Sequence, residues 1–276
     1  MTATVPAGAD AAPSPAGRRT REHETELPVG HLDEDGRLHR AAVLRKMTGH
    51  EEALLADRRL RANGGKLVTE LLTSCLRRLG EIEPVPHRTV AALTSPDRNY
   101  LLLELRKITF GSELTAHYTC PSCHGTTTAL EDLEGFPVRR GDAAGALTIT
   151  VDLADGYEDR TGGTWYTRLT FRLPTGLDEE KVAGAARENP SRGTNALLTR
   201  CLTQVADEQG ERMPDARREA LGTRLVSDLT MPDRGRIEQA FRDGMPGLDL
   251  SREIDCADCG RLIRTAVDLE GFFTPT

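Results

Sequence analysis

Sliding the 276-residue chain along itself reveals a repeat at an offset of 136. The shift carries "TSPDR" (Thr94 to Arg98) onto "TMPDR" (Thr230 to Arg234), Cys120 and Cys123 onto Cys256 and Cys259, and "DLEGF" (Asp132 to Phe136) onto a second "DLEGF" (Asp268 to Phe272). Across those 43 positions no gap is needed and fourteen residues are identical, where unrelated sequence would give about three. Shorter shifts extend the match upstream, placing Thr48-Gly49 on Thr175-Gly176 and "LLTSCL" (Leu71 to Leu76) on "LLTRCL" (Leu197 to Leu202). Such a period is far longer than that of a solenoid, so the chain is expected to be a tandem duplication of one folding unit. The expected copies span 27–140 and 141–276. Ahead of them, residues 1–26 are rich in Ala, Pro, Gly and mixed charge with no apolar period, and are expected to be a disordered tail.

Each copy reads as the same order of elements. "GRLHRAAVLR" and "WYTRLTFRL" alternate as strands do, and each follows a turn-like stretch, "DEDG" or "DRTGG", so a strand hairpin should open each copy. Thr48 with Glu51, and Thr175 with Asp178, have the spacing at which a hydroxyl caps a helix start while the carboxylate reaches back. In "KLVTELLTSCLRRLG" the apolar residues Leu67, Leu71, Leu72, Cys75 and Leu79 recur at three-to-four spacing, which predicts one buried helical face. Pro96 and Pro232 suit the first turn of a further helix, with Asp97 and Asp233 at its positive end. The second copy has a longer connection, "VADEQGERMPDARREALGTRL", before its Pro-Asp-Arg. Each copy then reads as strand, tight turn, strand. The fold class expected is α+β, with helices packed between small hairpins.

The cysteine pairs Cys120/Cys123 and Cys256/Cys259 fall at those tight turns. Two thiols separated by two residues in a turn reach one ion, and zinc in a structural site takes four thiolates in a tetrahedron. Each hairpin supplies half a shell, so the preferred reading is one structural zinc per chain, held by Cys120, Cys123, Cys256 and Cys259 and clamping the copies in a zinc-ribbon-like site. A redox pair, two ions shared across a dimer and unliganded thiols are the alternatives. His124 is replaced by Gly260 in the second copy and is not a common ligand. Cys75 and Cys201 lie on the apolar face of a predicted helix and read as compact core residues.

No Gly-rich phosphate loop, His-Glu-x-x-His pair or Gly-x-Ser-x-Gly elbow is present. Among the histidines, His31, His39, His50 and His87 have no counterparts in the second copy, and the Asp97-Arg98 and Asp233-Arg234 pairs read as helix starts rather than acid–base machinery. No enzyme is expected. A net charge of −7 and 4% aromatic residues argue against general binding to phosphate backbones or anionic lipid. The first residues lack the apolar core of a signal peptide and "YLLLEL" is too short to span a bilayer, so a cytoplasmic location is expected.

The motif order resembles that of a known family. "LPVGHLDEDGRL", "VLRKMTGHEEALLAD", "SPDRNYLLLELRKITFGSELTAHYTCPSCHG" and a closing Cys-x-x-Cys hairpin ending in "LEGFFTP" together resemble the baseplate hub assembly chaperones of T-even-type phages. Relatives of that family accompany phage tails and contractile injection systems. The resemblance covers most of Leu27 to Pro275 and is strongest in the first copy and at the two cysteine turns. It implies a noncatalytic protein that helps to build, or becomes part of, the baseplate of a contractile particle, with baseplate or hub subunits as partners and the four cysteines carried over by position. The Ala/Pro-rich N-terminus departs from the pattern and leaves room for an added tethering role. The rival class is a zinc-ribbon nucleic-acid-binding protein, which salt-dependent binding to DNA or RNA would reveal.

Overall fold

In a computed structural model, which describes residues 22–141, 147–267 and Phe273, the chain forms five small sheets with helices packed against them. β1 (Glu22–Leu32) and β2 (Leu38–Arg45) form the opening hairpin. Three helices follow: α1 (Gly49–Ala56), α2 (Arg58–Arg61) and α3 (Gly64–Cys75). The chain returns as β3 (Leu76–Leu79) on the other edge of β2. α4 (His87–Ala92) and α5 (Ser95–Phe110) lead to the hairpin of β4 (Glu113–Thr119) and β5 (Thr126–Asp132), and then to β6 (Val138–Arg139).

The second half presents its elements in a corresponding order. The hairpin of β7 (Thr148–Asp159) and β8 (Thr164–Arg172) is followed by α6 (Gly176–Glu188) and α7 (Pro190–Cys201), and β9 (Leu202–Ala206) pairs with β8. The longer connection folds into α8 (Asp215–Leu221) and α9 (Thr223–Ser227). After α10 (Met231–Gly244) come β10 (Gly247–Leu248), β11 (Ser251–Asp255) and β12 (Leu262–Ala266). The protein is therefore mixed helix and strand, as expected. Among the described residues no helix is long and apolar enough to cross a membrane.

Local signals account for most of these boundaries. Reciprocal capping boxes open α1 (Thr48 with Glu51) and α6 (Thr175 with Asp178), satisfying amides that a helix start leaves free. Thr94 and Thr230 cap α5 and α10, with a proline inside the first turn of each.

Each half buries its own core. Leu27, Leu44, Leu71, Leu72 and Leu101 lie at the centre of the first, and Leu169, Phe171, Val205, Leu225 and Val226 at the centre of the second. Burying a leucine side chain of this kind contributes about 1.5–3 kcal/mol. Cys75 and Cys201 sit within these cores, and burial pushes both thiols up to about 12, as compact apolar residues should behave.

Two expectations need correction. The disordered tail expected over residues 1–26 does not extend to its last five residues. Glu22 to Glu26 begin β1 and pair with Arg45 to Ala41 of β2, while residues 1–21 lie outside the described residues. Alternation explains why: the strand turns His23 and Thr25 toward α5, where His23 Nε2 lies 3.0 Å from Glu104 and Thr25 Oγ1 lies 2.7 Å from the Tyr100 hydroxyl. The helical face predicted through Leu79 stops at Cys75. Leu79 is buried as expected but on β3, because the open edge of β2 satisfies the backbone there. The second "DLEGF", at 268–272, lies outside the described residues.

The Asp-Arg pairs do more than start helices. Both β1 and β7 carry a bulge, and the fully buried Asp97 and Asp233 accept the amides freed there. Asp97 accepts from Val29 (2.8 Å) and Gly30 (3.1 Å), and Asp233 from Ala154, Asp155 and Gly156.

A candidate metal centre of four cysteines

The C-terminal glycine of α5, Gly111, sends the chain into β4, so that Cys120 and Cys123 stand in the turn between β4 and β5. Cys256 and Cys259 occupy the same place between β11 and β12. Matching hydrogen bonds close the two turns: Cys120 N–H donates to the Gly125 carbonyl and His124 N–H to the Cys120 carbonyl, while Cys256 N–H donates to Arg261 and Gly260 N–H to Cys256, all at 2.9 Å. In each turn one residue must adopt a left-handed backbone, His124 at φ 60° and Gly260 at φ 68°. The His-to-Gly difference between the two turns is thus a backbone matter.

The structure brings all four sequence-predicted thiols together. Their sulfur atoms lie within 4.8 Å of one another, with Cys120 to Cys259 at 3.8 Å and Cys123 to Cys256 at 3.6 Å. A zinc tetrahedron with bonds of about 2.3 Å has sulfur–sulfur edges of about 3.8 Å, so the donor set fits that ion. Cys120 and Cys256 are buried against Ile263, whereas Cys123 and Cys259 face solvent.

The electrostatics of the four thiols are uneven. The amides of Cys259 and Asp258 lower the Cys256 thiol to about 6, and those of Cys123 and Ser122 lower Cys120. At Cys123 the Gly125 amide also lowers, but the crowding sulfurs of Cys259 and Cys256 push the thiol up to about 12. Ionising all four sulfurs in so small a volume would require a positive ion among them. Four thiolates would also complete a tetrahedral shell and leave no position for substrate.

Side chains that the repeat pattern did not flag join the hairpins. Glu131 on β5 accepts from Arg252 on β11 and from the Tyr118 hydroxyl, both at 2.7 Å, and the Arg252 guanidinium stacks 4.0 Å from the centre of the Phe136 ring. Ala257 N–H donates to Thr127 Oγ1 at 3.0 Å, and Arg261 to Ser122 Oγ at 3.1 Å. Arg252, Glu131 and Thr127 have no same-type counterpart in the other half, so the internal repeat carries no trace of them. The histidines His31, His39, His50 and His87 stand away from the cysteines, in the first hairpin and at the starts of α1 and α4.

The fold and site define a mixed helix and strand protein in which two cysteine turns from distant parts of the chain converge. A sequence profile described as "T4 bacteriophage base plate protein" matches residues 20–274, and the chain belongs to that family. No curated protein and no solved structure matches it significantly.

Proposed function

We propose that this is a non-enzymatic baseplate protein of a contractile phage-tail-like injection system, acting as an assembly chaperone for the hub or as a structural component. In this reading the chain is a tandem duplication, and one zinc bound by Cys120, Cys123, Cys256 and Cys259 joins its two copies in a ribbon-like site. The convergence of the four sulfurs within 4.8 Å is the observation that carries the zinc, and membership of the baseplate family carries the setting. The ion would supply connection rather than chemistry, since the residues present complete its shell. A joined pair of copies is a rigid body, and rigidity lowers the ordering cost when it holds another subunit during assembly.

Two features argue against rivals. A thioredoxin-like redox pair places its first cysteine at a helix start, whereas both pairs here sit between antiparallel strands. A nucleic-acid-binding role is opposed by the net charge of −7. Partners are baseplate or hub subunits, met in the cytoplasm where particles assemble. Co-purification with those subunits, together with loss of assembled particles on deletion, tests the role. Particles that assemble normally without the chain would refute it. Metal analysis should find about one zinc per chain.

A further inference from the structure

The two halves meet through more than the cysteine turns, and this second contact is one-sided. In the first half, the groove between α3 and α5 receives the first turn of α6. Ser95 N–H donates to the Pro174 carbonyl (2.8 Å) and Gly176 N–H to the Leu93 carbonyl (3.1 Å). Arg98 pairs with Glu179 at 3.2 Å, and Thr69 donates to Glu180 at 2.5 Å. The approach is close enough that a Cβ on Gly176 would strike the Arg98 guanidinium, and one on Gly65 the backbone of Glu179 and Glu180.

At offsets of 136 and 126 the groove residues Ser95, Arg98, Gly65 and Thr69 become Met231, Arg234, Ser191 and Asn195. Those four line an open groove of about 830 Å³ between α7 and α10. Exposure shows the contrast: Ser95 is 8% exposed and Met231 77%. Arg98 is fully buried and holds Glu179, while Arg234 is half-buried and, among the described residues, keeps only the side-chain bond that corresponds to one of Arg98's, to the Val226 carbonyl at 3.2 Å. Asn195 Oδ1 is buried with no hydrogen-bond partner among the described residues.

The piece that would fill this groove also exists, unused, on the first half. α1 begins with the same capping box as α6, has Gly49 where α6 has Gly176, and has Glu52 where α6 has Glu179. Gly49 and Glu52 are both exposed, and a Cβ on Gly49 would meet nothing. Ala53 stands in place of Glu180, so the carboxylate that accepts from Thr69 in the filled groove has no counterpart on α1.

We propose that the α7/α10 groove is a docking site for the α1 start of a second copy of this chain, with Glu52 meeting Arg234 and Gly49 admitting the close approach. The contact joins unlike surfaces, so it propagates head to tail and either closes a ring or continues as a filament. This inference rests on the correspondence of the two halves and not on zinc, so metal content and self-association fail independently.

Sedimentation velocity of the full chain between about 1 and 100 μM, the range of weak specific contacts, tests it. Wild type should show concentration-dependent association that salt weakens. Met231→Glu and Arg234→Glu on the groove side, and Gly49→Trp on the helix side, should each raise the apparent dissociation constant at least about tenfold. Met231 and Gly49 are exposed, so those two variants retain the fold, which thermal melting verifies. Mixing Met231→Glu with Gly49→Trp should restore a one-to-one dimer and nothing larger, because each keeps the face that the other lacks. A chain that stays monomeric throughout, variants that leave association unchanged, or a mixture that fails to complement would overturn the proposal. So would a monomer whose groove is occupied by a different baseplate subunit.

Discussion

Arg98 and Arg234 occupy corresponding places in the two halves, follow the same buried aspartate, and donate to corresponding carbonyls of Val90 and Val226. Among the described residues, only Arg98 is covered by the other half of the chain. Near the cysteine turns the halves are alike: thiol pairs cross reciprocally, and the turn hydrogen bonds match bond for bond. At the helical faces they diverge, one groove filled and the other open. Similar sequence therefore acquires different roles according to what the rest of the chain packs against it. A guanidinium enclosed with a carboxylate is a structural pin, and the same group beside solvent is a surface available for binding.

The largest effects should come where the halves are alike. Cys120→Ser and Cys256→Ser should each cut bound zinc from about one ion per chain to below about a tenth of that, and lower Tm by about 10 °C or more. Metal analysis and calorimetry should find the two variants equivalent, and a large difference between them would break the likeness. The next comparison separates the halves. Arg98→Met should cost about 3 kcal/mol in urea unfolding, the lower end for orphaning a buried partner because Glu179 is 29% exposed. Arg234→Met in dilute monomer should cost under about 1 kcal/mol.

A third comparison uses pH. Burial pushes the Asp178 carboxyl up, but Arg172 and the Thr175 amide outweigh it and hold it at about 2; in the first half Glu51, paired with Arg45, is likewise held well below its usual range. A carboxyl depressed in the folded state stabilises fully above its unfolded value, about 4, and loses that contribution as pH falls toward 2. Asp178→Asn should therefore lose about 2 kcal/mol at pH 7, discounted for partly exposed Arg172, and almost nothing at pH 2. An unchanged acid limb in pH-dependent unfolding would exclude this ion pair as a source of stability. The smallest effect concerns the left-handed turn residues. His124→Gly should stabilise by up to about 1 kcal/mol and Gly260→His destabilise by about as much, measured by thermal unfolding.

Features written in contiguous residues are legible in the sequence alone. Thr48 and Thr175 announce their helix starts, Pro96 and Pro232 theirs, and the cysteine spacing announces turns that share one centre. What escapes depends on neighbours distant in the chain. The charged stretch Glu22 to Glu26 resembles a solvated tail because its alternation becomes meaningful only with α5 beneath it. The helical spacing of Leu67 to Leu79 runs on past the helix, but the edge of β2 claims residues 76–79. The recurrence of Asp97 and Asp233 is visible, yet their role as acceptors for bulged strands requires knowing where the bulges fall. Glu131 and Arg252 are complementary charges 121 residues apart, and nothing local links them.

β6 and β10 form a two-stranded sheet, antiparallel, with Val138 opposite Leu248 and Arg139 opposite Gly247. Its strands come from opposite halves, which carries a consequence for biosynthesis. A nascent chain emerging from the ribosome can bury most of the first hydrophobic core before the second half is made, but Leu248 and Phe273, which pack against that core, are still to come; β6 has no mate until residue 248 is made, and the β4–β5 turn has no second pair of sulfurs until residue 259. Maturation is thereby tied to synthesis of the second half. A prematurely ended product would be left with an unpaired strand edge and two bare thiols, hallmarks by which cellular proteases and chaperones recognise an unfinished protein.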